Sequence, residues 1–346
     1  MNPVLVRLAG QQLHSPQFKD PADLVSWMGA LQAQDQRSMK WAVAMRTSKP
    51  SYSAFKEAFD SGKIIRTHLM RCTWQLVSGE DLGWMVPLCG SKAKGVMKGW
   101  MSANGVDIPR KEEEKYTGLL VDILKGKCLL RDEIFAEFRQ RGYNDDERVL
   151  GYHIRLAEVS GTVCSGTLHP RKSTYSLVSD RVEKQLTLSR EESLNLLATK
   201  YLRGRGPASL EDFSWWSGLG KNECMKGIRS LGDEVSSIDY EGRKFWFFRG
   251  SEQKRMRKGK VLLIPSYDEY LISYKSRDLV LEPHHSHMAH NNSGIFKDIV
   301  SLDGEIVGNW RPSSKDLGIT VFREGILLPE ESLSKEISRY RYALTH

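Results

Sequence analysis

The stretch that decides the fold begins at Leu130-Arg131-Asp132-Glu133-Ile134-Phe135-Ala136-Glu137-Phe138-Arg139-Gln140-Arg141-Gly142. Acids in its first turn, Ile134, Phe135 and Phe138 at helical spacing, and a closing Arg-Gly predict a helix that stops at Gly142. After a polar turn, residues 146–160 read as a second helix, with Val149, Leu150, His153, Ile154, Leu156 and Ala157 on its apolar side and Gly161 as its stop. Thr162-Val163-Cys164, a turn through Ser165-Gly166, and Tyr175-Ser176-Leu177-Val178 then predict a two-stranded hairpin. Helix, turn, helix and β hairpin in that order make a winged helix.

The same order recurs on both sides. Residues 189–202, 209–216 and 221–231 read as helices, and residues 235–248 as a hairpin turning at Glu241-Gly242, which predicts a second winged helix. Helical segments at 23–32, 39–46 and 52–61, followed by a strand at 73–77, suggest a third. Residues 79–129 read as mostly helix. From Val261 onward, strand-like runs at 261–264, 299–302 and 319–322 are separated by Gly-bearing turns, with Asp303-Gly304 a strong hairpin signal, and residues 331–342 close as a helix. The expected fold class is therefore α+β, tandem winged-helix (helix-turn-helix) domains with a C-terminal small β-barrel-like domain. The expected boundaries are 1–125, 126–182, 183–250 and 251–346. No fixed period recurs, so the modules are related units rather than a solenoid.

A chain of 346 residues exceeds one ordinary domain, and 40% hydrophobic with 27% charged residues describes a soluble globular protein rather than a disordered one. A net charge of +8 and a pI of about 9.1 favour a polyanionic partner, although charge alone does not choose between nucleic acid and membrane. No apolar run approaches the roughly 18 residues of a membrane span, and Met1-Asn2-Pro3-Val4 begins no basic-then-apolar leader, so a cytoplasmic protein is expected. The five cysteines are odd in number, scattered and never Cys-x-x-Cys, which argues against a disulfide framework or a thiolate metal site. The phosphate loop, the dinucleotide-binding glycine motif and the nucleophile elbow are all missing, so ATP-driven and hydride chemistry have no support.

Chemistry is concentrated elsewhere. Leu31-Gln32-Ala33-Gln34-Asp35 closes the apolar segment 24–30 with two primary amides one residue apart. In an extended segment they would point to one side, whereas in a continuous helix they would splay by about 200°. To act together they need the helix to end or distort near Ala33; otherwise they cap a helix end. Asp35 is the adjacent group that can titrate. Arg66, His68 and Arg71 alternate with apolar residues; the arginines suit phosphate contacts, and the competing reading is a strand edge with solvated charges and a core histidine. Arg171 and Lys172 add basic charge. Residues 251–260, with Lys254, Arg255 and Arg257, form a basic linker that is either simply solvated or a phosphate contact. His284, His285, His287 and His290 crowd into seven residues, but no acidic or Cys companion stands at ligand spacing. No metal is expected there, and a loop that carries His287 toward a DNA groove is the preferred reading. Asp268 and Glu269 read as structural acids at a domain junction, with a catalytic role as the alternative.

Taken in order, Gln32-Ala33-Gln34, residues 65–74 from Ile65 to Trp74, residues 263–271 from Leu263 to Leu271 and residues 303–310 from Asp303 to Trp310 resemble the bacterial winged-helix DNA glycosylases of the AlkZ-like family. The resemblance covers nearly the whole chain. It implies hydrolysis of the N-glycosidic bond of alkylated purines, N7-alkylguanine above all, and unhooking of interstrand crosslinks. It also implies a monofunctional enzyme with a water nucleophile, no cofactor, and Gln32 and Gln34 as the catalytic Gln-aliphatic-Gln pair. The partner it implies is double-stranded DNA with alkylated bases, with no membrane, bound by a monomer in an open basic channel that replaces base flipping. An N7-alkylated purine already carries positive charge, so its bond breaks toward a cationic sugar without a strong acid. An amide oxygen can then hold water and stabilise that sugar, although it cannot serve as a true general base. Asp35 could, if it faced the same cavity. One departure stands out: Trp74-Gln75 occupies the place where the family has a hydrophobic residue followed by His. The alternative is a non-catalytic winged-helix DNA-binding protein or transcriptional regulator, which would have no need of the glutamine pair.

Overall fold

The computed structural model describes residues 2–143, 146–251, 257–312 and 317–345. The chain folds into two compact units, one of residues 1–55, 194–216 and 220–346, the other of residues 56–193 and 217–219. Helices and sheets are mixed in both. Among the described residues no helix is long and apolar enough to cross a membrane.

The first unit is built on a four-stranded antiparallel sheet in the order Gly318–Val321, Glu305–Arg311, Ile299–Leu302, Val261–Ile264. The central hairpin turns at Asp303-Gly304, both residues at positive φ (53° and 95°), as the sequence signal requires. Every residue of Val261–Ile264 is buried. The Glu330–Thr345 helix packs on this strand, and its Ser332 hydroxyl accepts the Val261 N–H at 2.9 Å. Trp41 and Trp310 meet Tyr340 edge-on at 5.2 and 5.0 Å, and their indole N–H groups are spent on the carbonyls of Leu263 and Ile264. The barrel-like expectation is corrected: the sheet is open, with Val261–Ile264 and Gly318–Val321 at its two edges. Four strands are too few to curl round and meet, and the C-terminal helix provides cover that closure would otherwise give.

The same unit holds the helices Pro3–Gly10, Pro21–Met28 and Gln36–Ala44, the Arg190–Arg205 helix from Leu194 on, and Lys221–Ser230. The strands Val235–Tyr240 and Arg243–Phe248 form the expected hairpin, turning on Glu241 (φ 50°) and Gly242 (φ 73°).

In the second unit, Leu82–Ala103 and Arg110–Leu124 supply the helices expected over 79–129, and Ile64–Leu69 pairs antiparallel with Thr73–Ser78. Arg131–Gln140 and Glu147–Val159 follow, then a three-stranded sheet in the order Leu129–Leu130, Thr174–Leu177, Val163–Ser165. Tyr116, Leu120, Ile134, Phe138, Leu150, Ile154, Val163 and Leu177 make its core. The predicted turn at Ser165-Gly166 is not where the chain reverses. Ser165 still pairs with Tyr175, the Gly166 N–H bonds to the Thr174 carbonyl at 3.0 Å, and residues 167–173 form the connection.

Candidate active site

Local chemistry explains how Gln32 and Gln34 are presented. Asp20 caps the Pro21–Met28 helix by accepting the Ala22 N–H at 2.8 Å, and Pro21 suits its first turn. Gly29, at φ 72°, ends it, because that left-handed backbone is open mainly to glycine. The helix therefore stops at Met28, four residues before the end read from the sequence, and the chain is extended over Leu31–Gln32. Gln32 is buried, with 6% exposure. Gln34 lies exposed in the bend that leads to the next helix. Asp35 is the N-cap of Gln36–Ala44: its Oδ1 accepts the Ser38 N–H at 2.7 Å and lies 3.9 Å from Arg37 Nε. Arg37 forks onto Asp298 at 2.9 and 3.0 Å. Burial holds the Asp298 carboxyl above its ordinary range despite that arginine.

Beneath the motif is a buried polar network. Glu269 Oε1 accepts the backbone N–H of Gln32 at 2.7 Å. Its Oε2 accepts from Arg205 Nη2 at 2.7 Å and Nε at 3.0 Å, from Trp216 Nε1 at 3.1 Å, and from the Ser273 hydroxyl. Arg205 also donates to the carbonyls of Met28, at 2.6 Å, and Ala30. Burial alone would raise the Glu269 carboxyl, but Arg205 and these donors outweigh it and hold it below the ordinary glutamate range. The neighbouring Asp268 forms a bidentate pair with Arg46 at 2.7 and 2.8 Å, and Arg46 also donates to Gln11 Oε1 at 3.0 Å. Asp268 and Glu269 are thus buried, arginine-paired acids. Arg205 and Trp216 carry no local sequence signal that would have picked them out.

The second unit holds most of the other candidates. Arg66 and His68, expected at a DNA surface, are 4% and 5% exposed. The Arg66 guanidinium lies 3.8 Å over the Trp74 ring and donates to Ser173 Oγ at 3.1 Å. The His68 ring sits 4.0 Å from the same indole, with Nδ1 2.7 Å from Glu158 Oε2. Pairing of His68 with Trp74 across the hairpin puts all three side chains on one face. Gln75 is buried and donates to Thr73 Oγ1 at 2.8 Å. Arg71 is half-buried in the turn between the strands. A cavity of about 350 Å³ is lined by Trp74, Tyr175, Arg131, Arg155 and Lys172. Arg171 and Lys172 are exposed, their N–H groups on His169 Nδ1 at 3.2 and 2.9 Å, and Lys172 reaches Asp132 at 2.8 Å.

Arg257 is exposed; Lys254 and Arg255 lie outside the described residues. His287 is exposed on the short Ser286–Ala289 helix rather than on a plain loop. His285 is buried, and the acidic companion missed in the sequence is Glu282. Its Oε2 lies 3.2 Å from His284 Nε2 and 3.6 Å from His285 Nδ1, because the turn Pro283–His285 folds both rings back onto it. These three donors could hold a divalent ion with water completing the shell, although Arg323 lies 3.4 Å from the other carboxylate oxygen. All five cysteines are free, and burial pushes the Cys72 and Cys164 thiols up to about 12, which makes them inert.

Comparison with known proteins adds three findings. The family model described as "DNA glycosylase AlkZ-like" matches residues 25–338. An interstrand DNA cross-link repair glycosylase of Streptomyces sahachiroi is 26% identical over 340 residues, which cover 92% of this chain and 91% of the relative. The solved structure of Streptomyces sahachiroi DNA glycosylase AlkZ superposes with a TM-score of 0.81 at 24% identity, over 98% of this chain and 95% of that one, a likeness of fold.

Proposed function

We propose, for a chain that belongs to the AlkZ-like DNA glycosylase family, that it hydrolyses the N-glycosidic bond of alkylated purines in duplex DNA, with N7-alkylguanine as the substrate class and Gln32 and Gln34 as the polar pair at the reacting sugar. Water is the nucleophile: its oxygen bonds to C1′ and its proton passes to solvent. The C1′–N9 electron pair goes to the purine, which quenches the ring's positive charge. An amide oxygen aimed at C1′ stabilises the cationic sugar without having to titrate. The observation that carries the reading is the backbone at the motif, where a glycine ends the helix and Glu269 grips the Gln32 N–H. Asp35 is engaged as a helix cap, which leaves the amides to do the chemistry.

The helix pair Arg131–Gln140 and Glu147–Val159 with its strands acts in this reading as a winged helix on the duplex. Arg171, Lys172 and Arg257 lie against phosphates. Crosslinked adducts, the substrate in the relative's name, extend the same chemistry to bulkier lesions.

The test is single-turnover excision of N7-methylguanine by Gln32→Ala and Gln34→Ala, beside their affinity for an abasic-site duplex. Each variant should slow excision about 10²-fold with affinity nearly intact. The double variant should fall well short of the product of the two losses, because two amides on one water act as a unit. Wild-type rates in both single variants would take the glutamines out of the chemistry and turn the assignment to Asp35, whereas no excision by the wild-type protein itself would favour a non-catalytic DNA-binding protein.

A further inference from the structure

We infer that the buried Arg205–Glu269 ion pair is a clamp that sets the backbone from which Gln32 and Gln34 project, so that Arg205 and Glu269 are positioning residues for base excision; this rests on the catalytic reading of the glutamines. The pair grips three alternate residues of one short stretch. Arg205 donates to the carbonyls of Met28 and Ala30, and Glu269 accepts the N–H of Gln32 at 2.7 Å. The two side chains then close on each other at 2.7 and 3.0 Å. A guanidinium presents its donors in one plane at fixed spacing, so the peptide groups it holds cannot shift independently.

The clamp is anchored on rigid elements remote in sequence. Arg205 ends the Arg190–Arg205 helix, and Glu269 opens the Glu269–Ile272 helix. Both are fully buried, at 0% and 2% side-chain exposure. As a source of stability this is an expensive choice, because desolvating two charges can outweigh their attraction and a packed apolar pair would hold the elements together as well. Ions add direction, since each hydrogen bond fixes an angle as well as a distance. Direction is needed here: Gly29, the most pliable residue of the segment, lies between the two carbonyls that Arg205 holds. A catalytic amide displaced by about 1 Å can lose 10²-fold in rate.

A thermodynamic cycle in rate and melting tests this on the full chain. Glu269→Gln and Arg205→Lys are made alone and with Gln32→Ala, which leaves the gripped N–H in place. Each is assayed below its melting transition for N7-methylguanine excision and for abasic-duplex affinity. The clamp predicts that either variant slows excision about tenfold or more at unchanged affinity. It further predicts little additional loss of rate in the Gln32→Ala background, while the losses of melting temperature still add. Wild-type excision by folded Arg205→Lys, or rate losses that multiply with Gln32→Ala, would overturn the clamp and leave the catalytic reading standing. A wild-type rate in Gln32→Ala itself would remove the catalytic reading, and the clamp with it. If Glu269→Gln does not fold, Arg205→Lys, which keeps the buried charge opposite Glu269, decides alone.

Discussion

Asp35 shows how a single residue changes meaning once its partners are known. Beside the glutamines it is the one group able to act as a base, yet its oxygen is spent on the Ser38 N–H at 2.7 Å. Asparagine caps a helix as well as aspartate does, so Asp35→Asn should keep both melting temperature and excision rate, whereas Asp35→Ala should cost about 1 kcal/mol of stability. A rate collapse in Asp35→Asn at unchanged melting temperature would make it the base after all. Glu269 carries a pH signature. Its folded carboxyl is held below the ordinary value of 4.5, so its contribution to stability is complete above that value and is lost as pH falls through the lower folded one. Burial raises Asp298 and Glu336 instead, and their effect on acidification has the opposite sign. The difference between wild type and Glu269→Gln is therefore the readout. In scanning calorimetry wild type should lose melting temperature more steeply on acidification, and equal slopes would remove Glu269 from the acid limb.

At the scale of an element, the connection between Val163–Ser165 and Thr174–Leu177 carries two exposed basic residues, Arg171 and Lys172. Strand pairing that runs on past Ser165 leaves Arg171 and Lys172 on a longer loop than a tight turn would allow. Lys172 is paired with Asp132, but both groups are exposed and solvent screens their attraction, so exchange for a phosphate costs little. Arg171→Ala and Lys172→Ala should each weaken binding to undamaged duplex and lower the slope of log affinity against log salt by about 1, with the rate from bound substrate unchanged. Unaltered slopes in fluorescence titrations would take the loop off the DNA. Arg66 makes the contrasting case: its guanidinium is stacked on Trp74, so it braces a hairpin face instead of reaching outward.

For the whole molecule, the +8 charge predicts that duplex affinity falls steeply with salt, and a flat response would exclude DNA as partner. Excision should persist in EDTA, because the proposed chemistry routes no step through Glu282, His284 and His285. Loss on chelation that zinc restores would bring that cluster into the function.

The sequence by itself determined what depends on near neighbours. Helical periodicity located Arg131–Gln140, Glu147–Val159 and Lys221–Ser230, and the φ-positive pairs Glu241-Gly242 and Asp303-Gly304 located two hairpins, since period and turn chemistry act over a few residues. It also singled out Gln32 and Gln34, by their spacing and by a resemblance that the family match bears out. Only the tertiary structure decided which charges are buried and what they hold. Arg205 and Glu269 are 64 residues apart in the chain and meet beneath Gln32; Arg66 and His68 close on one indole; Glu282 turns out to be the acid beside two histidines. Charge burial is set by contacts between distant segments. A buried arginine and a solvated one are written with the same letter, and packing makes the difference.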